Sequence, residues 1–220
     1  MIIFDLDDTL IDTTGSITPI KLEQALAKMV EAGLEVGNFE EALDILKRLD
    51  TATESASQTL LEFLEITNGD KKYFDIGKAE VYGHLPSDFP VFPLDQALEV
   101  LEELAEQHQL ALVSMGKHEQ QLLKLKNAGI DSTIFSKMII SEDHDKKPHY
   151  KTILDELGFN PTQTLVCGDR IGRDLTPAKE LGCTTVQMQW GRGLNSTFSP
   201  RDVDYAIKKL SQIKDILTIL

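Results

Sequence analysis

The beginning of the chain constrains the fold more than any other stretch, because a short apolar run there ends abruptly in carboxylates. Residues 2–10 read IIFDLDDTL. The apolar part is typical of a strand that is buried on both faces, as in parallel sheets. Aspartate is disfavoured within strands and is seldom buried without a partner, so we expect Asp5 and Asp7 where the strand emerges at its carboxyl end. In open α/β sheets, ligands bind at that edge.

The spacing of these two aspartates indicates a chemical site. In an extended chain, residues i and i+2 face the same side, so Asp5 and Asp7 are predicted to project together. Two carboxylates this close repel each other unless a metal ion or a shared proton intervenes. The alternative interpretation is a strand that simply leads into an aspartate-rich turn, since aspartate is common in turns and helix caps.

The pattern from residue 94 onward predicts an α/β fold. Strands are predicted at 109–114, 134–140, 164–167 and 184–189, with an amphipathic helix between successive strands. Such alternation favours right-handed crossovers and a parallel sheet. We therefore predict a Rossmann-like core of three layers, in which a parallel sheet lies between helices.

A different pattern occupies the region between the first strand and this alternation. Residues 17–83 carry helical periodicity with no strand pattern, and Asn38 opens one of the predicted helices as a cap. We predict a small all-helical cap domain at 17–84, inserted into an α/β core domain formed by 1–16 and 85–220. Its polar and proline-marked ends suit a lid that moves on two hinges.

Three later segments place polar groups at predicted strand ends or just before helices. Ser114 ends a strand, where its hydroxyl can bind phosphoryl oxygens. Lys146 and Lys147 stand immediately before a helix. Asp169 follows another strand, and Asp174 begins the next helix. Each segment also has an ordinary structural interpretation, as a turn, a solvated lysine pair or a helix cap.

Together with residues 5–9, these segments resemble the motifs of the haloacid dehalogenase-like (HAD) superfamily. Residues 5–9 fit DxDx[TV], Ser114 fits the second motif, Lys147 before proline fits the third, and residues 168–174 fit GDxxxxD. They occur in the family's order, and an insert after the first motif resembles members with a helical, C1-type cap. The chain departs from the pattern at Met115, where the family often has asparagine, and at Arg170, where it often has a small residue.

The resemblance implies an Mg²⁺-dependent phosphatase that hydrolyses a small phosphomonoester through an aspartyl-phosphate. Asp5 is then the nucleophile and Asp7 the general acid and base. Ser114 and Lys147 bind the phosphoryl oxygens, with Lys146 the weaker choice for that position.

The same resemblance implies how the metal is held. Asp5, the backbone carbonyl of Asp7, and Asp169 are the implied ligands of Mg²⁺, which prefers oxygen donors. Asp174 is expected to support the ligands from a second layer rather than to bind the metal directly.

Other functions on this fold use similar residues. A phosphomutase differs only in passing the phosphoryl group to a second hydroxyl instead of water. A non-catalytic phosphate-binding regulatory protein is favoured by a degenerate first motif, whereas the motif here is intact. A dehalogenase needs no acid at the position of Asp7 and no metal at Asp169, so those residues argue against it.

The charge and composition of the chain limit the kinds of partner that we expect it to bind. The chain has 22 basic and 36 acidic residues and a net charge of −14, with no basic stripe of the kind that nucleic-acid-binding proteins carry. No apolar stretch approaches the roughly 18 residues that span a bilayer, and the first apolar run is too short for a signal peptide. We expect a cytoplasmic protein, monomeric or weakly dimeric, with a small phosphorylated metabolite as its partner and with Cys167 and Cys183 as free thiols.

Overall fold

The computed structural model describes residues 1–196 and 200–219. The chain forms two compact units, one from Met1–Asp12 and Ser87–Leu220 and the other from Thr13–Pro86. No helix in these described ranges combines the length and the apolar character needed to cross a membrane.

The first unit is built on a six-stranded parallel sheet, as predicted. The strands are β1 (Ile2–Phe4), β2 (Leu110–Met115), β3 (Phe135–Ser141), β4 (Leu165–Gly168), β5 (Thr184–Met188) and β6 (Tyr205–Ile207), in the order β3-β2-β1-β4-β5-β6. Strand β1 lies between β2 and β4, so that Phe4 pairs with Leu112 on one side and Cys167 on the other. The strand order reverses at this point, which is where such sheets open a ligand crevice.

Helices alternate with the strands of the sheet. In chain order the helices are α1 (Thr18–Glu31), α2 (Phe39–Ala52), α3 (Ala56–Ile66), α4 (Lys72–Val81), α5 (Ala97–Ala105), α6 (His118–Asn127), α7 (Lys147–Leu157), α8 (Thr176–Leu181) and α9 (Ile213–Leu217). The first four belong to the second unit, and α5–α9 belong to the unit that holds the sheet. Ile3 and Val166 pack with Tyr150 and Ile153 of α7 on one face. The alternate residues, such as Phe4, point to the other face and are also fully buried, which confirms the three-layer core.

The second unit consists of α1–α4 and has its own apolar core. Leu22, Met29, Leu46 and Phe63 are fully buried in one cluster within it. Asn38 caps α2 as predicted, because its Oδ1 accepts a hydrogen bond from the backbone N–H of Glu41 at 3.1 Å. The role of this unit as a lid stays a prediction.

Some element ends differ from those predicted. The periodicity of residues 94–107 predicts a helix from residue 94, but α5 begins at Ala97, because Gln96 has a left-handed backbone conformation with φ of 60° that an α-helix does not permit. The Thr18-Pro19 pair predicts Thr18 as a helix cap, whereas Thr18 is the first residue of α1. The pattern of residues 207–219 predicts the last helix, but Ile207 ends β6 and α9 starts only at Ile213.

A close backbone approach shapes the turn that follows β4. A Cβ atom at Gly168 would lie only 2.5 Å from the Cβ of Asp174. Neither atom is at the end of a flexible side chain, so any side chain at position 168 must displace the backbone that carries Asp174. Only glycine allows the strand end and this aspartate to meet.

We therefore predict that Gly168→Ala destabilises the protein by about 1–3 kcal/mol through overpacking. Gly172→Ala is the matched control, since a Cβ there meets nothing within 4 Å, and its effect should stay within about 0.5 kcal/mol. Urea unfolding monitored by circular dichroism measures both. Equal midpoints for the two variants would contradict the close-packing argument.

Candidate active site

Three buried carboxylates meet where the central strands end. Asp5 follows β1, and its backbone N–H donates to the carbonyl of Cys167 at 2.9 Å, so the chain is still tied to β4 as it leaves the sheet. Asp5, Asp169 and Asp174 each place a carboxylate oxygen within 4.8 Å of the others. All three residues are at most 7% exposed. The predicted meeting of the first and fourth motif segments is therefore present in the structure.

A single buried lysine joins this carboxylate cluster. The Nζ atom of Lys146 lies 2.6 Å from Oδ1 of Asp5 and 2.6 Å from Oδ1 of Asp174. The lysine is 1% exposed, so these ion pairs are formed away from water. Lys146 therefore brings the start of α7 to the ends of β1 and β4.

The prediction that Lys147 occupies this position is wrong. Lys147 is partly exposed, and its Nζ bonds Oε2 of Glu180 on α8 at 2.6 Å. Successive residues at the start of a helix point about 100° apart, so only one of two adjacent lysines can face the sheet edge. The Lys-Pro pattern favoured the second lysine, whereas the fold turns the first one inward.

Burial and mutual repulsion alter the protonation of the carboxylate cluster. Burial raises the pKa of Asp5 to about 7; Lys146 opposes this shift, while the charges of Asp174 and Asp7 add to it. Burial also raises the pKa of Asp169 well above its usual range, with Asp174 adding and Arg170 opposing. Burial therefore favours the protonated forms of Asp5 and Asp169, and a divalent cation that binds them competes with those protons.

The lysine stays charged in spite of its burial. Burial by itself lowers the pKa of Lys146, but the charges of Asp174 and Asp5 outweigh it, so this pKa lies well above its ordinary value. A permanently charged ammonium beside Asp5 suits the binding of an anion there.

Arg170 contacts both aspartates after β4, one through its backbone and one through its side chain. The N–H of Arg170 donates to Oδ2 of Asp174 at 2.8 Å, and its Nε lies 3.0 Å from Oδ2 of Asp169. The loop after β5 supports the same turn, because a Cβ at Gly193 would lie 3.0 Å from the carbonyl oxygen of Asp169. Asp174 is predicted to support the metal ligands without binding the metal directly. In the structure its carboxylate lies within the cluster itself.

Asp7 contacts a different set of partners. Its Oδ1 accepts from Nζ of Lys124 at 2.8 Å, and its Oδ2 accepts from Nε2 of Gln121 at 2.8 Å. The same Nε2 donates to the hydroxyl oxygen of Ser114 at 2.6 Å. Ser114 is 1% exposed at the end of β2. Helix α6 therefore links the predicted acid and base to the predicted phosphoryl-binding serine.

Sequence reasoning missed Gln121 and Lys124. The leucine periodicity of residues 117–128 predicts a core face. Leu125 is buried accordingly, but Leu122 and Leu123 are only half-buried, whereas Gln121 is 2% exposed. A signal was present: the N-terminal half of a helix that follows a motif strand lies near that strand's carboxyl end. Polar residues there, spaced i and i+3, share one helix face.

The donor set of the cluster fits Mg²⁺. Carboxylate and carbonyl oxygens are the hard ligands that this ion prefers. Three buried carboxylates paired with only two cationic side chains, Lys146 and Arg170, favour a divalent cation electrostatically. Asp5, Asp169 and Asp174 are the side chains placed to take part.

A known phosphatase resembles this chain over nearly its whole length. A glyceraldehyde 3-phosphate phosphatase of Methanocaldococcus jannaschii is 30% identical over 224 residues, covering 98% of this chain and 96% of that protein.

Solved structures give the same fold at lower identity. A protein described as a predicted phosphoglycolate phosphatase from Haemophilus somnus has a TM-score of 0.71 at 19% identity and covers 99% of this chain and 97% of its own. The HAD-hydrolase YfnB from Bacillus subtilis, bound to magnesium, has a TM-score of 0.66 at 18% identity, and the match covers 98% of this chain and 97% of that one. The family model for haloacid dehalogenase-like hydrolases matches residues 2–188. The chain therefore belongs to the haloacid dehalogenase-like hydrolases.

Proposed function

We propose that the protein is an Mg²⁺-dependent phosphatase that hydrolyses a small phosphomonoester through an aspartyl-phosphate. The observation that carries this proposal is the buried cluster in which Lys146 bridges Asp5 and Asp174 at the carboxyl end of the central strands. The relationship to a glyceraldehyde 3-phosphate phosphatase supports a phosphomonoester as the substrate class. That triose phosphate is accordingly the first substrate to test.

In the first step, an oxygen of Asp5 attacks phosphorus and the bond between phosphorus and the ester oxygen breaks. Asp7 gives its proton to the departing oxygen, so that an alcohol leaves rather than an alkoxide. The phosphoryl group is then covalently attached to Asp5. The different surroundings of the two aspartates suit their separate roles as nucleophile and proton donor, because Asp5 lies in the carboxylate cluster and Asp7 lies beside α6.

The transferring group carries negative charge that has to be neutralised. The ammonium of Lys146 is held beside Asp5 and is suited to contact a phosphoryl oxygen. The hydroxyl of Ser114 is the second donor at this edge. Asp5, Asp169 and the backbone carbonyl of Asp7 would hold Mg²⁺, with Asp174 beside them, and the ion when bound supplies further positive charge at the phosphoryl oxygens.

In the second step, water attacks phosphorus and the bond to Asp5 breaks. Asp7, which lost its proton in the first step, takes one from the attacking water. Inorganic phosphate leaves and both aspartates return to their starting state. A phosphomutase would differ here, because a second substrate hydroxyl would replace water.

The direct test is hydrolysis of para-nitrophenyl phosphate and glyceraldehyde 3-phosphate by the purified chain in Mg²⁺. We expect turnover that EDTA abolishes and added Mg²⁺ restores.

The variant Asp5→Asn tests the nucleophile. Asparagine is nearly isosteric with aspartate but cannot act as the carboxylate nucleophile, so turnover should fall by about 10³-fold or more with the fold retained. Phosphate release at the wild-type rate by this variant, freed of contaminating phosphatase, would contradict the role of Asp5.

A second prediction separates the two adjacent lysines. Lys146→Met leaves three buried carboxylates without their ammonium, so kcat/KM should fall by about 10²-fold or more. Lys147→Met is the matched control: its ion pair is partly exposed, is worth at most about 1 kcal/mol and should leave turnover unchanged. Steady-state kinetics on both variants checks this, after circular dichroism has established that each is folded. A larger loss in Lys147→Met would restore the original assignment.

A third prediction concerns Mg²⁺ and pH. The folded pKa of Asp5 is raised from 3.8 to about 7, so metal-free protein loses stability as the pH rises through that value. Mg²⁺ binds the ionised carboxylates, and its stabilisation should grow over the same range. The Tm increase on adding Mg²⁺ should be larger at about pH 8 than at about pH 6.

The control for this measurement is Asp169→Asn, which removes one carboxylate of the cluster. Its Tm should respond much less to Mg²⁺ at either pH. Equal Tm increases at the two pH values in the wild type would argue against proton displacement from the cluster.

A further inference from the structure

Helix α6 holds both oxygens of the Asp7 carboxylate. Lys124 donates to Oδ1 and Gln121 to Oδ2, each at 2.8 Å. The two donors are spaced i and i+3, so they stand on the same face of the helix. The position of the carboxylate is therefore fixed relative to α6 and not only by its own backbone.

Gln121 is itself held in place. Its Nε2 is 2.6 Å from Oγ of Ser114 and 3.1 Å from the carbonyl oxygen of Met115, at the end of β2. A Cβ at Gly116, which has φ of +137°, would lie 3.3 Å from Cδ of Gln121, so the amide is packed against the turn. Because Gln121 donates to the Ser114 oxygen, the serine's own hydrogen is directed elsewhere and can serve a phosphoryl oxygen.

We propose that Lys124 and Gln121 are positioning residues that hold Asp7 where it exchanges a proton with the leaving oxygen. This inference rests on the proposed phosphatase function. A general acid works only within hydrogen-bond reach of the atom that it protonates. The ammonium of Lys124 also stabilises the carboxylate that remains on Asp7 once the proton has left.

A merely structural role predicts a different outcome. If Lys124 only ties α6 to the rest of the unit, its loss should affect every substrate alike. If it positions the proton donor, the loss should depend on how much the leaving oxygen needs a proton. An alkyl oxygen needs protonation, whereas a 2,4-dinitrophenolate leaves readily without it. The value of kcat/KM reports this step, since it covers binding up to departure of the leaving group.

The experiment compares Lys124→Met with the wild type on two esters in Mg²⁺. One is 2,4-dinitrophenyl phosphate; the other is glycerol 3-phosphate or glyceraldehyde 3-phosphate, whichever the wild type turns over faster. We expect kcat/KM to fall about tenfold or more on the alkyl ester and less than about twofold on the dinitrophenyl ester. Lys124→Arg keeps a cationic donor and should recover most of the alkyl activity.

Two further variants complete the design. Lys126→Met changes an exposed lysine of the same helix and should match the wild type on both esters. Gln121→Met should show the same dependence on the leaving group as Lys124→Met. Equal losses on the two esters, or no loss, in Lys124→Met would overturn the positioning role while leaving the phosphatase intact. If the wild type hydrolyses neither ester, the proposed phosphatase function is wrong, and this inference fails with it.

Discussion

The pairing of Lys146 with Asp5 and Asp174 is the interaction on which the site depends. It joins the end of β1, the turn after β4 and the start of α7, at 2.6 Å in both contacts and away from water. Charges buried in this way are tolerated only when they are closely paired. The ammonium of Lys146 and the guanidinium of Arg170 do not balance three carboxylates, and the remaining negative charge favours a divalent cation. Burial is the main cause of the raised pKa of Asp5 and of Asp169, and repulsion from Asp174 adds to it.

Two aspartates separated by one residue occupy distinct environments. Asp5 is 7% exposed and belongs to the carboxylate cluster, while Asp7 is more open and is held by α6. Between that pair and the next helix, Asp8 adopts a left-handed backbone conformation with φ of 57°, which turns the chain sharply. Carboxylic acids in different surroundings can take different roles, one as nucleophile and one as proton carrier.

The sequence predicted the fold well, because strand and helix periodicities are local and the parallel sheet follows from their alternation. It also predicted which strand ends meet, and so the proximity of Asp5 to Asp169 and Asp174. It favoured Lys147 over Lys146 and was wrong, because a rotation of about 100° per residue decides which of the two faces inward. The i, i+3 spacing of Gln121 and Lys124 indicates that they share one helix face, but tertiary packing decides that this face contacts the sheet edge.

The position of β1 at the centre of the sheet has a consequence for the order of folding. Its neighbours pair through residues 110–112 and 165–167, so the middle of the sheet closes only when distant parts of the chain come together. Thr13–Pro86, by contrast, is one continuous segment with local helical contacts. Pairing between distant strands is slow compared with helix packing. During synthesis the helical unit can therefore fold first, before β2 and β4 are available to pair with β1.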